Sequence, residues 1–144
     1  MAITRNDPNT VYLGGPRTVV GDLAASEAIT PGHLIEKFNN AGVWRVRKHT
    51  GTSLAGSTYA TEQSMQNKGV DDAYAANDLV EAVVGAPGTT IWALIASGQT
   101  IVFGNDLESA GNGTLKIYNA GVKIATALES KTATATTRIR VEVL

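Results

Sequence analysis

The side chains able to do chemistry are few and scattered. Two histidines, His33 and His49, stand apart in the chain, and there is no cysteine. A zinc site takes three or four grouped ligands, and no HExxH or paired histidine at helical spacing supplies them. Without cysteine there are no thiolate nucleophiles, thiolate metal ligands or disulfide scaffolds. Each histidine reads as a strand-edge or surface residue. The densest acidic stretch runs through Asp71, Asp72, Asp78 and Glu81. A calcium loop needs oxygen ligands at alternating positions around a central glycine, and Ala73-Tyr74-Ala75-Ala76 offers neither. Gly111-Asn112-Gly113-Thr114-Leu115-Lys116 superficially resembles a phosphate cradle. It lacks both glycine fingerprints, and a β-like run follows where a helix is needed. No Gly-x-Ser-x-Gly elbow presents a serine. Two of the thirteen acids can always meet in space as a glycosidase pair, but two Trp, four Tyr and two Phe are thin material for a substrate cleft. The chain is not expected to be an enzyme or to hold a cofactor or metal.

The elements around these residues read as mostly β. At 144 residues and 15.0 kDa the chain fits one domain. Fifteen Gly, four Pro and many Thr interrupt it at intervals that suit short strands and tight turns. From Thr137 to Leu144, Ile139, Val141 and Val143 fall on one face, with Arg138, Arg140 and Glu142 on the other, as in a half-buried strand. His33–Phe38 and Val43–Lys48 flank Asn39-Asn40-Ala41-Gly42, a hairpin loop by composition. Leu79–Val84 and Thr90–Ala96 form a second such pair across Gly85-Ala86-Pro87-Gly88. Further strands are expected over Thr100–Phe103, Thr114–Tyr118 and Val122–Leu128. Residues 24–29, 59–66 and 71–76 each have room for a helical turn. Lys131–Thr137, nearly all Ala and Thr, reads as an extended spacer or loop. The fold class is therefore mainly β: a compact antiparallel β-barrel or sandwich-like domain over 16–144, with short helical turns and an extended N-terminal arm over 1–15.

Charge narrows the partners. Twelve Lys+Arg against thirteen Asp+Glu leave a net charge of −1, without the long-range pull toward phosphate that nucleic-acid binding uses. No apolar run approaches the ~18–20 residues of a membrane span, and the N-terminus lacks a signal-peptide core. Neither nucleic acid nor membrane is expected as a partner, and synthesis in a cytoplasm is. Arg45 and Arg47 share one face of a strand beside Trp44, placed either to meet acids on a partner or to stay solvated. Trp44 and Trp92 sit in strand-like runs, so each is either core or an interface anchor.

A resemblance adds to this reading. Tyr59-Ala60-Thr61-Glu62 and then Asn67-Lys68-Gly69-Val70-Asp71-Asp72-Ala73-Tyr74-Ala75-Ala76-Asn77-Asp78-Leu79-Val80 resemble the capsid decoration (cement) proteins of tailed bacteriophages. In that family the run reads A-x-E, then G-K-G-x-D-D-A-Y-A-A-G-D-x-V. Asn67 and Asn77 stand here where Gly is usual, and Asn is the commonest residue other than Gly at positive φ. Leu94-Ile95-Ala96-Ser97-Gly98-Gln99, Gly104-Asn105-Asp106-Leu107-Glu108-Ser109 and Gly111-Asn112-Gly113 are similar to the family's next segment. Ala127-Leu128-Glu129 with Arg138–Val143 are similar to its close. The likeness covers roughly residues 20–144 and carries no catalytic signature.

The resemblance implies a head-stabilising virion protein, made in the host cytoplasm, that binds the outer surface of the expanded phage head. Its partners would be the major capsid protein and itself, as trimers at local three-fold axes, with a dimer as the other arrangement. Candidate partner-binding residues are Ile3, Arg5 and Asp7 on the arm, Tyr12 and Arg17 by position, and Trp44, Arg45 and Arg47 on the first hairpin. The alternative is a receptor- or carbohydrate-binding module displayed on the virion, which calls for exposed aromatics in a groove.

Overall fold

The computed structural model describes residues 7–52 and 54–144. Its strands, in chain order, are β1 (Tyr12–Gly14), β2 (Arg17–Ala24), β3 (Ile35–Asn40), β4 (Val43–Lys48), β5 (Thr58–Ala60), β6 (Leu79–Gly85) and β7 (Thr90–Ile95). There follow β8 (Thr100–Ile101), β9 (Asp106–Ser109), β10 (Leu115–Ile117), β11 (Ala125–Ala127), β12 (Lys131–Thr132) and β13 (Thr137–Val143). Among the described residues the only helix is a 3-10 turn at Ser64–Gln66.

A closed barrel forms the larger half. Strands run β7-β10-β9-β11-β13, and β13 pairs back onto β7 over Thr137–Glu142, which closes a ring of five. Closure leaves those strands no free edge between them. One junction is parallel, β10 on β7 with Leu115 opposite Ile95; the others are antiparallel. The alternation read in the last strand holds: Ile139, Val141 and Val143 lie inside, fully or nearly fully buried, with Ile91, Ile95, Leu107 and Leu115. Sealing such side chains from water is worth about 1.5–3 kcal/mol each.

The smaller half is a three-stranded sheet, β2-β6-β5, over the hairpin β3–β4. Between them lies a second core of Ala25, Ile29, Ile35, Val46, Ala60, Tyr74, Val80 and Ala82. The β3–β4 hairpin turns on Ala41 and Gly42, with φ of 53° and 87°, and Asn40 opposes Val43 across the strand ends. Two consecutive positive φ values define the type I′ turn that matches strand twist. Asn67 and Asn77 keep the positive φ expected of them, at 56° and 75°.

Arg138 fastens the halves. Its guanidinium lies over the Trp92 ring at 5.2 Å, donates to the Pro31 carbonyl at 3.1 and 3.2 Å and to the Val70 carbonyl, and pairs with Asp71 at 2.8 Å. The outer face of β13 is thus partly covered rather than simply wet.

Three expectations are corrected. Residues 24–29 and 71–76 form no helical turn. Ile29 and Tyr74 instead exchange backbone bonds of 3.1 and 2.7 Å as an antiparallel bridge, which buries both side chains. The Ala/Thr spacer begins as strand, since Lys131 and Thr132 pair with Ile101 and Thr100. Residues within the segment assigned to the arm are already sheet: Val11 is fully buried and Tyr12 opposes Ile91.

Candidate functional site

The two histidines, read as strand-edge or surface residues, stand just outside the ends of β3 and β4 and are both buried. His49 Nδ1 lies 2.9 Å from Ser109 Oγ, and its Nε2 lies 3.3 Å from the Ala55 carbonyl and 3.9 Å from Glu36 Oε2. Serine, histidine and carboxylate in sequence invite comparison with an acyl-transfer triad. The hydrogen bonds assign another role. Nε2–H has the Ala55 carbonyl to donate to, which leaves Nδ1 to accept from the Ser109 hydroxyl. Ser109 Oγ in turn accepts from the Gly111 N–H at 3.2 Å. Each polar atom of this His49–Ser109 network is used, and Ser109 is 0% exposed, so its oxygen is sealed from solvent. The network ties the end of β4 to β9.

Burial sets His33, and hydrogen bonds together with nearby cations set Glu36 and Glu108. His33 Nδ1 accepts from the Thr30 N–H at 3.0 Å, and burial, with Lys48 and Arg138 nearby, lowers its pKa to about 4. Burial pushes Glu36 up, but the Thr50 hydroxyl and the Arg47 guanidinium, both at 2.8 Å, bring it below its ordinary value. Glu108 behaves alike: burial raises it, and the Gly121 N–H at 2.6 Å, the Asn119 N–H and Lys116 outweigh that. Among the described residues no group of three or more His, Asp or Glu is placed to hold a metal ion.

The candidate binding residues fall into separate places. Ile3 and Arg5 lie outside the described residues. Asp7 is exposed and borders a groove of about 480 Å³ floored by Trp92, Leu94 and Arg138. Tyr12 and Arg17 come together, with the guanidinium 3.8 Å from the ring centroid and the phenol donating to the Gly15 carbonyl at 2.5 Å. They border a second groove of about 300 Å³ with Val19, Glu62 and Glu81. Arg45 and Arg47 are occupied inside the chain. Arg45 donates to the Ala25 carbonyl and to Asn77 Oδ1, both at 2.6 Å, and Arg47 pairs with Glu36 at 2.8 Å over the Phe38 ring.

Trp44 and Trp92 part company. Trp92 is 7% exposed, whereas Trp44 is 59% exposed and forms one wall of a third groove, of about 370 Å³. Asp22, Leu23 and Lys37 line the rest. Lys37 was within reach of sequence reasoning. A two-residue turn at Ala41-Gly42 sets Asn39 opposite Trp44, and so puts Lys37 on the same face one step diagonally away. Asp22 was not, because it sits in an irregularity of β2 between Val20 and Leu23 that alternation cannot foresee.

The sequence matches no family model and no curated protein. The fold is similar to that of the N base of the head fiber gp8.5 of bacteriophage phi29, with a TM-score of 0.61 and 9% identity. The likeness covers 90% of this chain and 95% of that one, and at such low identity it is a likeness of fold.

Proposed function

We propose that this chain is a structural protein of a tailed-bacteriophage head, a decoration domain that docks on the outer surface of the expanded shell and reinforces it. The observation that carries the reading is the fold likeness to a head-fiber base over nearly the full length of both chains. The motifs over 59–80 and 94–113 that resemble decoration proteins point the same way. Binding without chemistry also suits a molecule whose Ser–His pair is sealed and whose His33 is held neutral.

The partner is the major capsid protein, met by the edge that carries Tyr12 and Arg17. Beyond β1 the chain enters β2, whose first residues Arg17, Thr18 and Val19 are exposed and, among the described residues, pair only with β6. An exposed strand edge of this kind accepts an extended segment from a neighbour. The chain assembles as trimers, so that one docked subunit makes the next contacts intramolecular and multiplies avidity. A surface present only after expansion is then stabilised by mass action against the unexpanded state.

Copy number tests the reading. On a denaturing gel of purified particles, the chain should approach the molar amount of the major capsid protein. A few copies per particle would exclude decoration and favour a head-completion component.

A further inference from the structure

Trp44 is a large aromatic left open to solvent beside the turn of the β3–β4 hairpin. Its groove-mates are an apolar side chain, Leu23, a carboxylate, Asp22, and an ammonium, Lys37. Among the described residues neither charged group forms an ion pair, with each other or with anything else. From these observations we infer that the Trp44 groove binds a neutral saccharide.

The chemistry of the lining decides between occupants. A protein interface built on Trp44 would bury Asp22 and Lys37 with it, and unpaired charges taken out of water cost several kcal/mol. Interface anchors are surrounded by residues that seal water out, not by two uncommitted charges. A pyranose ring asks for the opposite. Its axial C–H face lies flat on an indole, and its rim of hydroxyls both donates and accepts. Asp22 accepts from such hydroxyls and Lys37 donates to them, so both charges keep polar partners while the ring is covered. The ligand needs no charge of its own, because the two side chains offset each other. A groove of about 370 Å³ is at the small end of the ~300–1,000 Å³ of ligand sites, with room for a short saccharide.

Its placement leaves the docking edge free. Arg17 opens β2 and Asp22 lies five residues further on, past the start of its irregularity, at most roughly 16 Å along the strand. The inference goes beyond the shell-docking reading and does not rest on it. On a particle carrying many copies, weak single sites would act together.

The test is a titration of the full chain with soluble maltotriose, cellotriose and triacetylchitotriose, followed by the indole N–H signals in NMR. With two tryptophans in the chain, buried Trp92 serves as the internal reference. The expected result is a saturable shift of the Trp44 signal at millimolar concentration for at least one sugar, with Trp92 unmoved. Trp44→Ala should abolish it, and Asp22→Asn and Lys37→Gln should each weaken binding by roughly fivefold. Trp44→Ala should keep its binding to expanded shells. No saturable shift with any of the three sugars, or an equal response from Trp44→Ala at other residues, would overturn the proposal. Loss of shell binding in Trp44→Ala would overturn it too, since the ring would then be covered by protein.

Discussion

Tyr59 and Tyr74 are 0% and 1% exposed, and burial pushes both phenols well above their ordinary pKa. Their surroundings differ. The Tyr74 hydroxyl donates to the Thr61 carbonyl at 2.6 Å and accepts from the Glu81 N–H at 3.2 Å, whereas the Tyr59 hydroxyl has no partner among the described residues. Removing a hydroxyl that satisfies two buried backbone groups strands both, at about 1–3 kcal/mol; removing an unpartnered one only relieves a desolvated atom. Tyr74→Phe is therefore expected to lose about 1–3 kcal/mol in urea unfolding, and Tyr59→Phe to match or exceed the parent. His33 supplies a pH prediction. Its folded pKa of about 4 lies below the ordinary 6.5, so between those values the unfolded chain binds the extra proton. The stability contributed by neutral His33 is complete above pH 6.5 and drains away as pH falls through about 4, reaching at most about 3 kcal/mol. His33→Gln, which carries no such proton, should lose less stability over that window. An NMR titration of the ring should place its midpoint near 4.

At the scale of elements, legibility followed the range of the interaction. The hairpin β3–β4 and strands β6, β7 and β13 were readable because alternation and turn residues are local signals. The parallel junction of β10 with β7, and the closure of β13 on β7, join residues far apart in sequence and leave no local trace. The same limit explains Ile29 and Tyr74, which have helix-compatible neighbours but find their backbone partners in each other. Of the candidate site, Trp44 is singled out by type and Tyr12 and Arg17 by position, and only the fold shows that the last two stack on each other. The Arg47–Glu36 pair follows from the hairpin register, which sets the two opposite each other, whereas Arg45 is consumed by Ala25 and Asn77, which only the packing of β4 on other segments reveals. The hairpin turn itself carries a prediction. Ala41 holds φ 53°, a conformation that costs an alanine about 1 kcal/mol and an asparagine less. Ala41→Asn restores the preferred Asn-Gly pair, and should raise stability by about 0.5–1 kcal/mol in thermal unfolding without altering binding.

As a whole, the molecule is a closed barrel with a smaller sheet fastened to it by Arg138, and its open surfaces lie at its edges and hairpin end. A body with a closed barrel and two separate cores has little conformational freedom to lose in the proposed docking, which favours tight contact from a modest interface. A net charge of −1 leaves recognition to short-range fit instead of long-range attraction. The account therefore stands on discrimination between two states of one shell. The most direct measurement is co-sedimentation of the purified chain with expanded and unexpanded shells of its parent phage, with Arg17→Glu alongside. Saturable binding to expanded shells alone, raised shell resistance to heat, and weakened binding by Arg17→Glu are the predicted results. A folded chain that sediments with neither shell, or equally with both, would contradict the account.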